Sequence, residues 1–186
     1  MWSGYSVFCL ASGPSLTAED VELVRKWREL SDERRVIVTN TTVQLAPWAD
    51  ALFAHDSKWW RHYADLDFKG ERLSLSSAAK TWGASVLKPP FISYKNSGAD
   101  AASLALHRNA ERVYLLGYDC QFTGGKTHWH GSHPQGLHDA TSLHRWEGQF
   151  ARLSNVSAGR IINCSRVTAL KCFPRQRLED VLDGTT

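Results

Sequence analysis

The sequence predicts an α/β domain, and three observations predict it. Short apolar runs alternate with segments of helical periodicity. Several of those runs are apolar at every position, as strands buried on both faces of a parallel sheet are. Small polar residues gather where such strands would end. Together these describe a Rossmann-like three-layer sandwich with a mostly parallel sheet, in one domain over residues 1–186. A chain of 186 residues buries roughly 70% of its extended surface, enough for one sizeable core. The composition, 42% hydrophobic and 22% charged, excludes a disordered tail, a collagen-like fibre and a disulfide miniprotein. No apolar run approaches the ~20 residues of a membrane span.

The first apolar run, residues 5–11, reads as a buried strand, closed by the tight loop Ser12-Gly13-Pro14-Ser15-Leu16. Thr17 can cap the next segment, because Glu19 and Asp20 place acids in a first helical turn. Val21, Leu23, Val24, Trp27 and Leu30 then recur at helical spacing, which predicts a helix over 18–30. Residues 35–39 and 51–54 read as strands ending at Asn40-Thr41-Thr42 and His55-Asp56, with a helix over 57–64 after them. Residues 72–76 and 84–87 read as short edge strands, the second closed by Pro89-Pro90. The Ala-rich stretch 99–110 predicts a helix, and residues 112–116 a buried strand ending at Gly117-Tyr118-Asp119. A polar Gly- and His-rich loop over 120–139 leads to a helix over 140–156, a strand over 160–164 and a last helix over 176–183.

The amino terminus lacks a basic region followed by a long apolar stretch, so no signal peptide is expected. Cys9, Cys120, Cys164 and Cys172 are scattered without a CxxC pair, which points to reduced thiols and a cytoplasmic setting. The 22 Lys and Arg against 19 Asp and Glu leave a surplus of +3. Residues 145–177 carry seven bases and one acid. That patch would attract phosphate or nucleic acid, or be a solvated helix face; nucleic acid is the minor expectation.

In open parallel sheets, ligands sit beyond the carboxyl ends of the strands. Five polar clusters fall there: Ser12-Gly13-Pro14-Ser15, Asn40-Thr41-Thr42, Asp56-Ser57, Asn96-Ser97-Gly98 and Gly117-Tyr118-Asp119. Loops of small residues between strand and helix bring backbone N–H groups up to a phosphate. Gly124-Gly125-Lys126-Thr127 imitates the tail of a Walker A loop, but residue 120 is Cys rather than Gly, and the next helix starts too late.

Five of the eight histidines, His128, His130, His133, His138 and His144, fall within 17 residues. Three readings stand side by side. A histidine here would act as general base on an acceptor hydroxyl. Alternatively, His128, His130 and His133 would ligate a metal, with Asp56 or Asp119 nearby. Or the segment is a polar loop whose imidazoles satisfy backbone groups. Asp56 is similarly open, as a holder of Mg²⁺ on a diphosphate or as the cap of the helix after it.

Ala11-Ser12-Gly13-Pro14-Ser15-Leu16 resembles the amino-terminal signature of bacterial CMP-sialic-acid-dependent sialyltransferases. It equally resembles that of the 6-hydroxymethylpterin diphosphokinase MptE-like and motility-accessory proteins. Asn96-Ser97-Gly98, the helix from Ala102 to Ala110, and Val113-Tyr114-Leu115-Leu116-Gly117-Tyr118-Asp119 are similar to a block shared by both groups. Gly124-Gly125-Lys126-Thr127-His128 with Gly131 is nearer the MptE-like side. The resemblance spans residues 5–57 and 94–133, and the compact, Trp-rich chain resembles phage-encoded members, which would act in the host cytoplasm.

That resemblance implies roles residue by residue. Gly13 and Ser15 would hold nucleotide phosphates, with Ser12 standing where the sialyltransferases carry Asn. Asn40, with Thr41 beside it, would contact phosphate or ribose. Ser97 and Gly98 would line the base or ribose pocket, and Asp119 would fix the ribose or the neighbouring loop. The expected function is a nucleotide-dependent transferase using a nucleotide-activated sugar. Its catalytic set is His128, His130 and Asp119, with Lys126 on the leaving phosphate and Asp56 and His133 as metal candidates for Mg or Zn. The alternatives are an Mg-dependent diphosphokinase and a non-catalytic nucleotide or sugar-phosphate binder. The chain is short for a sialyltransferase with a lid, and its partners are expected to be a nucleotide and an acceptor, with a homo-oligomer open.

Overall fold

The computed structural model describes residues 1–134, 137 and 142–184. Seven strands form one sheet: β1 (Ser6–Leu10), β2 (Arg34–Thr39), β3 (Ala51–Phe53), β4 (Glu71–Ser74), β5 (Ser85–Val86), β6 (Arg112–Leu116) and β7 (Ile161–Asn163). Five α-helices accompany them: α1 (Ala18–Glu29), α2 (Ser57–His62), α3 (Ser97–His107), α4 (Leu143–Val156) and α5 (Leu178–Leu182). The strand order is β5-β4-β3-β2-β1-β6-β7, and every pairing is parallel. This is a Rossmann-like three-layer α/β fold.

The layers arise from period-two alternation along strands apolar on both sides. Phe8 and Leu10 of β1, with Val36 and Val38 of β2, pack against α1, α2 and α5 through Val21, Val24, Trp27, Trp60 and Leu178. Val7, Cys9 and Ile37 face the opposite way, onto α3 and α4 through Ala101, Leu104, Ala105, Phe150 and Leu153. The alanines of α3 let that helix lie close against the sheet; Ala99, Ala101, Ala102 and Ala105 are all fully buried. On the α1 side, Trp27 meets Phe8 edge to face at 4.8 Å, a geometry that aromatic quadrupoles favour.

Caps and ion pairs fix the helices on the sheet. Thr17 Oγ1 accepts from the Asp20 N–H at 3.1 Å, as the sequence leads one to expect of an N-cap. Asp50, just before β3, accepts from Arg28 Nε and Nη2 at 2.9 Å each and from the Val36 N–H at 2.7 Å. One carboxylate thereby ties α1, β2 and β3 together. Buried Asp20 pairs with Arg166 at 2.6 Å, and Arg166 reaches Glu179 of α5 at 2.6 Å.

Two expectations change. β4 is an interior strand between β3 and β5, so only β5 of that pair lies at an edge; pairing partners are set by tertiary placement, which local pattern does not carry. The basic stretch over 145–177 is largely turned to internal work. Arg166 is paired with Asp20 and Glu179, and Arg152, Arg160 and Arg175 donate to the carbonyls of Tyr94, Ala110 and Ser165. Among the described residues, no helix is long and apolar enough to cross a membrane.

Candidate functional site

The strand order reverses between β1 and β6: the chain runs from β1 outward to β5, then returns to place β6 on the other flank of β1. At such a switch point the connections leave in opposite directions and a crevice opens beyond the carboxyl ends. A cavity of about 310 Å³ lies there, at the small end of the ~300–1,000 Å³ typical of ligand pockets. Its wall takes Ser12 and Gly13 after β1, Asn40 after β2, His55 and Asp56 after β3, and Gly117 and Tyr118 after β6. Asn96, Ser97 and Gly98 supply the start of α3, Thr127, His128 and His133 the loop after β6, and Trp146 and Phe150 an aromatic wall from α4.

The loop after β1 is built from below by Asp119. This fully buried carboxylate accepts from the Ser15 N–H at 2.9 Å, Ser15 Oγ at 2.6 Å and Thr123 Oγ1 at 2.9 Å. The Gly13 N–H donates to the Gly117 carbonyl at 2.8 Å. Residue 13 must be glycine, because a Cβ there would overlap both the Asp119 carboxylate and the Gly117 carbonyl. The donors that sequence reasoning assigns to phosphate at Gly13 and Ser15 are therefore engaged beneath the loop. Asp119 is a positioning residue for that loop and stands off the cavity wall, as do Ser15, Thr41 and Lys126.

Each of those displacements has a local cause. Thr41 is buried and accepts the Trp59 indole N–H at 3.2 Å, inside the 3-10 turn Asn40–Gln44 that comes after β2. Asn40 itself takes φ +48° at the head of that turn, a conformation Asn tolerates better than most residues, and it stays on the wall. Lys126 closes an exposed turn with Thr123 through reciprocal 3.1 Å backbone bonds, so the Gly-Gly-Lys-Thr run is no phosphate loop. Asp56 caps α2, its carboxylate accepting from the Lys58 N–H at 2.8 Å, while remaining on the cavity rim.

At the head of α3, Asn96 Oδ1 accepts from the Gly98 and Ala99 N–H groups at 2.9 and 3.1 Å. Asp100 behind it accepts from Ser93 Oγ and the Tyr94 N–H, and burial raises its carboxyl above the usual range. Tyr118 OH donates to the Gly98 carbonyl at 3.1 Å, joining the β6 end to the α3 start. Burial also holds the Tyr118 phenol protonated, well above the ordinary phenol range.

The histidine segment crosses over the β1 loop as a strap. The Trp129 N–H donates to the Ser12 carbonyl at 3.0 Å, and Ser12 Oγ lies 2.9 Å from His128 Nδ1. The Gly131 N–H then donates to the His128 carbonyl at 3.0 Å with Gly131 at φ +80°. That turn, which glycine enters without a Cβ penalty, folds His133 back onto the two earlier imidazoles. His128 and His130 stack with centroids 5.0 Å apart at 11°, and His133 sits 4.7 and 4.8 Å from them. His128 and His133 reach the cavity wall; His130 stacks behind His128. Asp56 and Asp119 are not part of this group. His138 lies outside the described residues, and His144 is exposed on α4.

Sequence reasoning missed His55, Lys95, Cys120, Trp146 and Phe150 on the wall. His55 was legible, since it ends β3 beside Asp56 on the same rim. Trp146 and Phe150 were not, because α4 reaches the cavity only through the way the chain folds back. Trp59 and Trp60, which come after Asp56 in sequence, turn into the core, with Trp60 Nε1 donating to the Ala54 carbonyl at 3.0 Å.

No protein-family model, curated protein or solved structure matches the chain. The functional reading therefore stands on the site itself.

Proposed function

We propose that the chain is a nucleotide-dependent transferase whose donor occupies the cavity between β1 and β6. The observation that carries this reading is the position of the cavity: a polar crevice with one aromatic wall, at the switch point of a parallel sheet. Its volume suits one mononucleotide. Trp146 and Phe150 offer a ring surface for a base, and Asn40, Ser97 and Gly98 offer polar groups for ribose and phosphate. Gly13 allows close approach at the loop after β1, and Lys95 brings a cation to the rim.

With a nucleotide-activated sugar as donor, an acceptor hydroxyl gives its proton to an imidazole on the wall. Its oxygen bonds to the anomeric carbon, and the bond from that carbon to the phosphate oxygen breaks, the nucleotide leaving with the electron pair. The candidate bases are His128, oriented by Ser12 and backed by His130, and His55 across the cavity. A second reading, Mg²⁺-dependent diphosphoryl transfer of the MptE-like type, is favoured by one observation: Asp56 sets a carboxylate on the rim, where a hard cation takes oxygen ligands.

Isothermal titration against CMP, CTP, UDP and ATP, with and without Mg²⁺, tests both. Saturable binding of a pyrimidine nucleotide, weakened at least about tenfold by Trp146→Ala, is the expected result. Binding only of a triphosphate with Mg²⁺ moves the assignment to diphosphoryl transfer. No binding to any of the four overturns the proposal.

A further inference from the structure

We propose that His128, His130 and His133 form a three-imidazole site for a zinc-class divalent metal ion, with its open coordination facing the cavity. This goes beyond the transferase reading and does not depend on it. One ring nitrogen from each residue comes within 4.8 Å of the other two. His128 Nε2, His130 Nε2 and His133 Nδ1 are also shielded from solvent. Three neutral imidazole nitrogens are the donor set that borderline metals take and that Mg²⁺ does not.

The spacing produces the cluster through identifiable steps. Residues 128 and 130 stack their rings on one side of the strap. The turn at Gly131 reverses the chain, and residue 133 returns as the third member. A tetrahedral zinc ion bound at ~2.0–2.1 Å holds its nitrogens roughly 3.4 Å apart. Contraction from the present separation can draw on rotation about the broad imidazole χ2 wells, and the three residues lie in the connection between β6 and α4, outside the sheet. Ligation through His128 Nε2 leaves the Nδ1 proton to donate to Ser12 Oγ, already at 2.9 Å. A hydrogen bond of that kind orients a ligating histidine and raises its basicity.

Because His128 and His133 are on the cavity wall, the fourth position opens onto it. Water fills that position when the cavity is empty, and a phosphate oxygen of an anionic ligand can replace it. Three protein ligands with one open place is the pattern of a reactive zinc site rather than a closed structural one. A bound ion also removes these imidazoles from proton transfer, which leaves His55 on the wall as the candidate base of a metal-loaded transferase.

The test uses the full chain purified without a histidine tag and stripped with a chelator. Zn²⁺ is titrated in competition with a chromophoric chelator, and Co²⁺ absorption reads the coordination geometry. The expected result is one ion per chain and visible bands of tetrahedral Co²⁺. Affinity should fall at least about 100-fold in His130→Gln and in His133→Gln, and stay unchanged in His144→Gln. Far-UV circular dichroism of each variant shows that the fold is kept. Stoichiometry well below one, octahedral Co²⁺ spectra, or full affinity in both His130→Gln and His133→Gln would overturn the proposal. Nucleotide titration of the stripped protein is read separately, so loss of the metal site and loss of the transferase reading are distinguishable.

Discussion

The loop after β1 and the histidine strap meet over the same cavity and are built in opposite ways. In residues 12–16, backbone donors turn inward: Gly13 bonds to Gly117, and Ser15 bonds twice to the buried carboxylate of Asp119. In residues 128–133, the three imidazoles turn toward one another and two of them reach the cavity wall. The tight turn at Gly131, the contacts from Ser12 Oγ and the Ser12 carbonyl, and the packing of Trp129 on the core hold the segment. The first is scaffold whose motif looks functional; the second gathers the reactive side chains themselves. A Gly-Pro-Ser run after a strand thus records how the chain leaves the sheet at least as much as what it binds.

Glycine substitutions draw this contrast most sharply. Gly13→Ala forces a Cβ into the Asp119 carboxylate and the Gly117 carbonyl, both packed groups that cannot withdraw. The expected loss is about 3 kcal/mol or more, in the range reserved for core overpacking. Gly131→Ala meets nothing within 4 Å among the described residues and is strained by φ +80°, so its loss is about 1 kcal/mol. Urea unfolding of both variants gives the two numbers; equal losses would remove the distinction between scaffold and strap.

Asp119→Ala comes next. Three donors lose a charged acceptor in a fully buried setting, which predicts a loss of about 2–3 kcal/mol. Asp119→Asn keeps one acceptor oxygen and should lose less. In either variant the defect appears in denaturant midpoints. A large fall in turnover at unchanged stability would return Asp119 to the reacting centre.

The same division explains what was legible in the sequence. The five α-helices and all seven strands come from patterns confined to a few residues: continuous apolar runs such as 112–116, helical spacing from Val21 to Trp27, and the Thr17 and Asp56 caps. The rim clusters were legible too, because strand ends carry their own punctuation. Contacts made by distant segments were not. Nothing near Asp119 announces that it accepts from Ser15, 104 residues away, and nothing near Trp146 announces the cavity. β4 looked like an edge strand for the same reason, since its second neighbour is the two-residue strand β5.

The smallest effect tests a side-chain contact that couples the two regions, Ser12 Oγ with His128 Nδ1. Ser12→Ala removes the hydroxyl beside His128 Nδ1 in a half-buried place, so stability should fall by no more than about 1 kcal/mol. The His128 ring then loses a partner at Nδ1 that helps fix which nitrogen faces His130 and His133. Outer partners of ligating histidines are worth ~10–100-fold in metal affinity, and this single, half-buried hydroxyl belongs at the lower end. About tenfold weaker Zn²⁺ binding at near-native stability would show that the scaffold loop aims the strap. Unchanged affinity would mean that the imidazoles are ordered without Ser12, and that the two regions share a cavity without sharing a function.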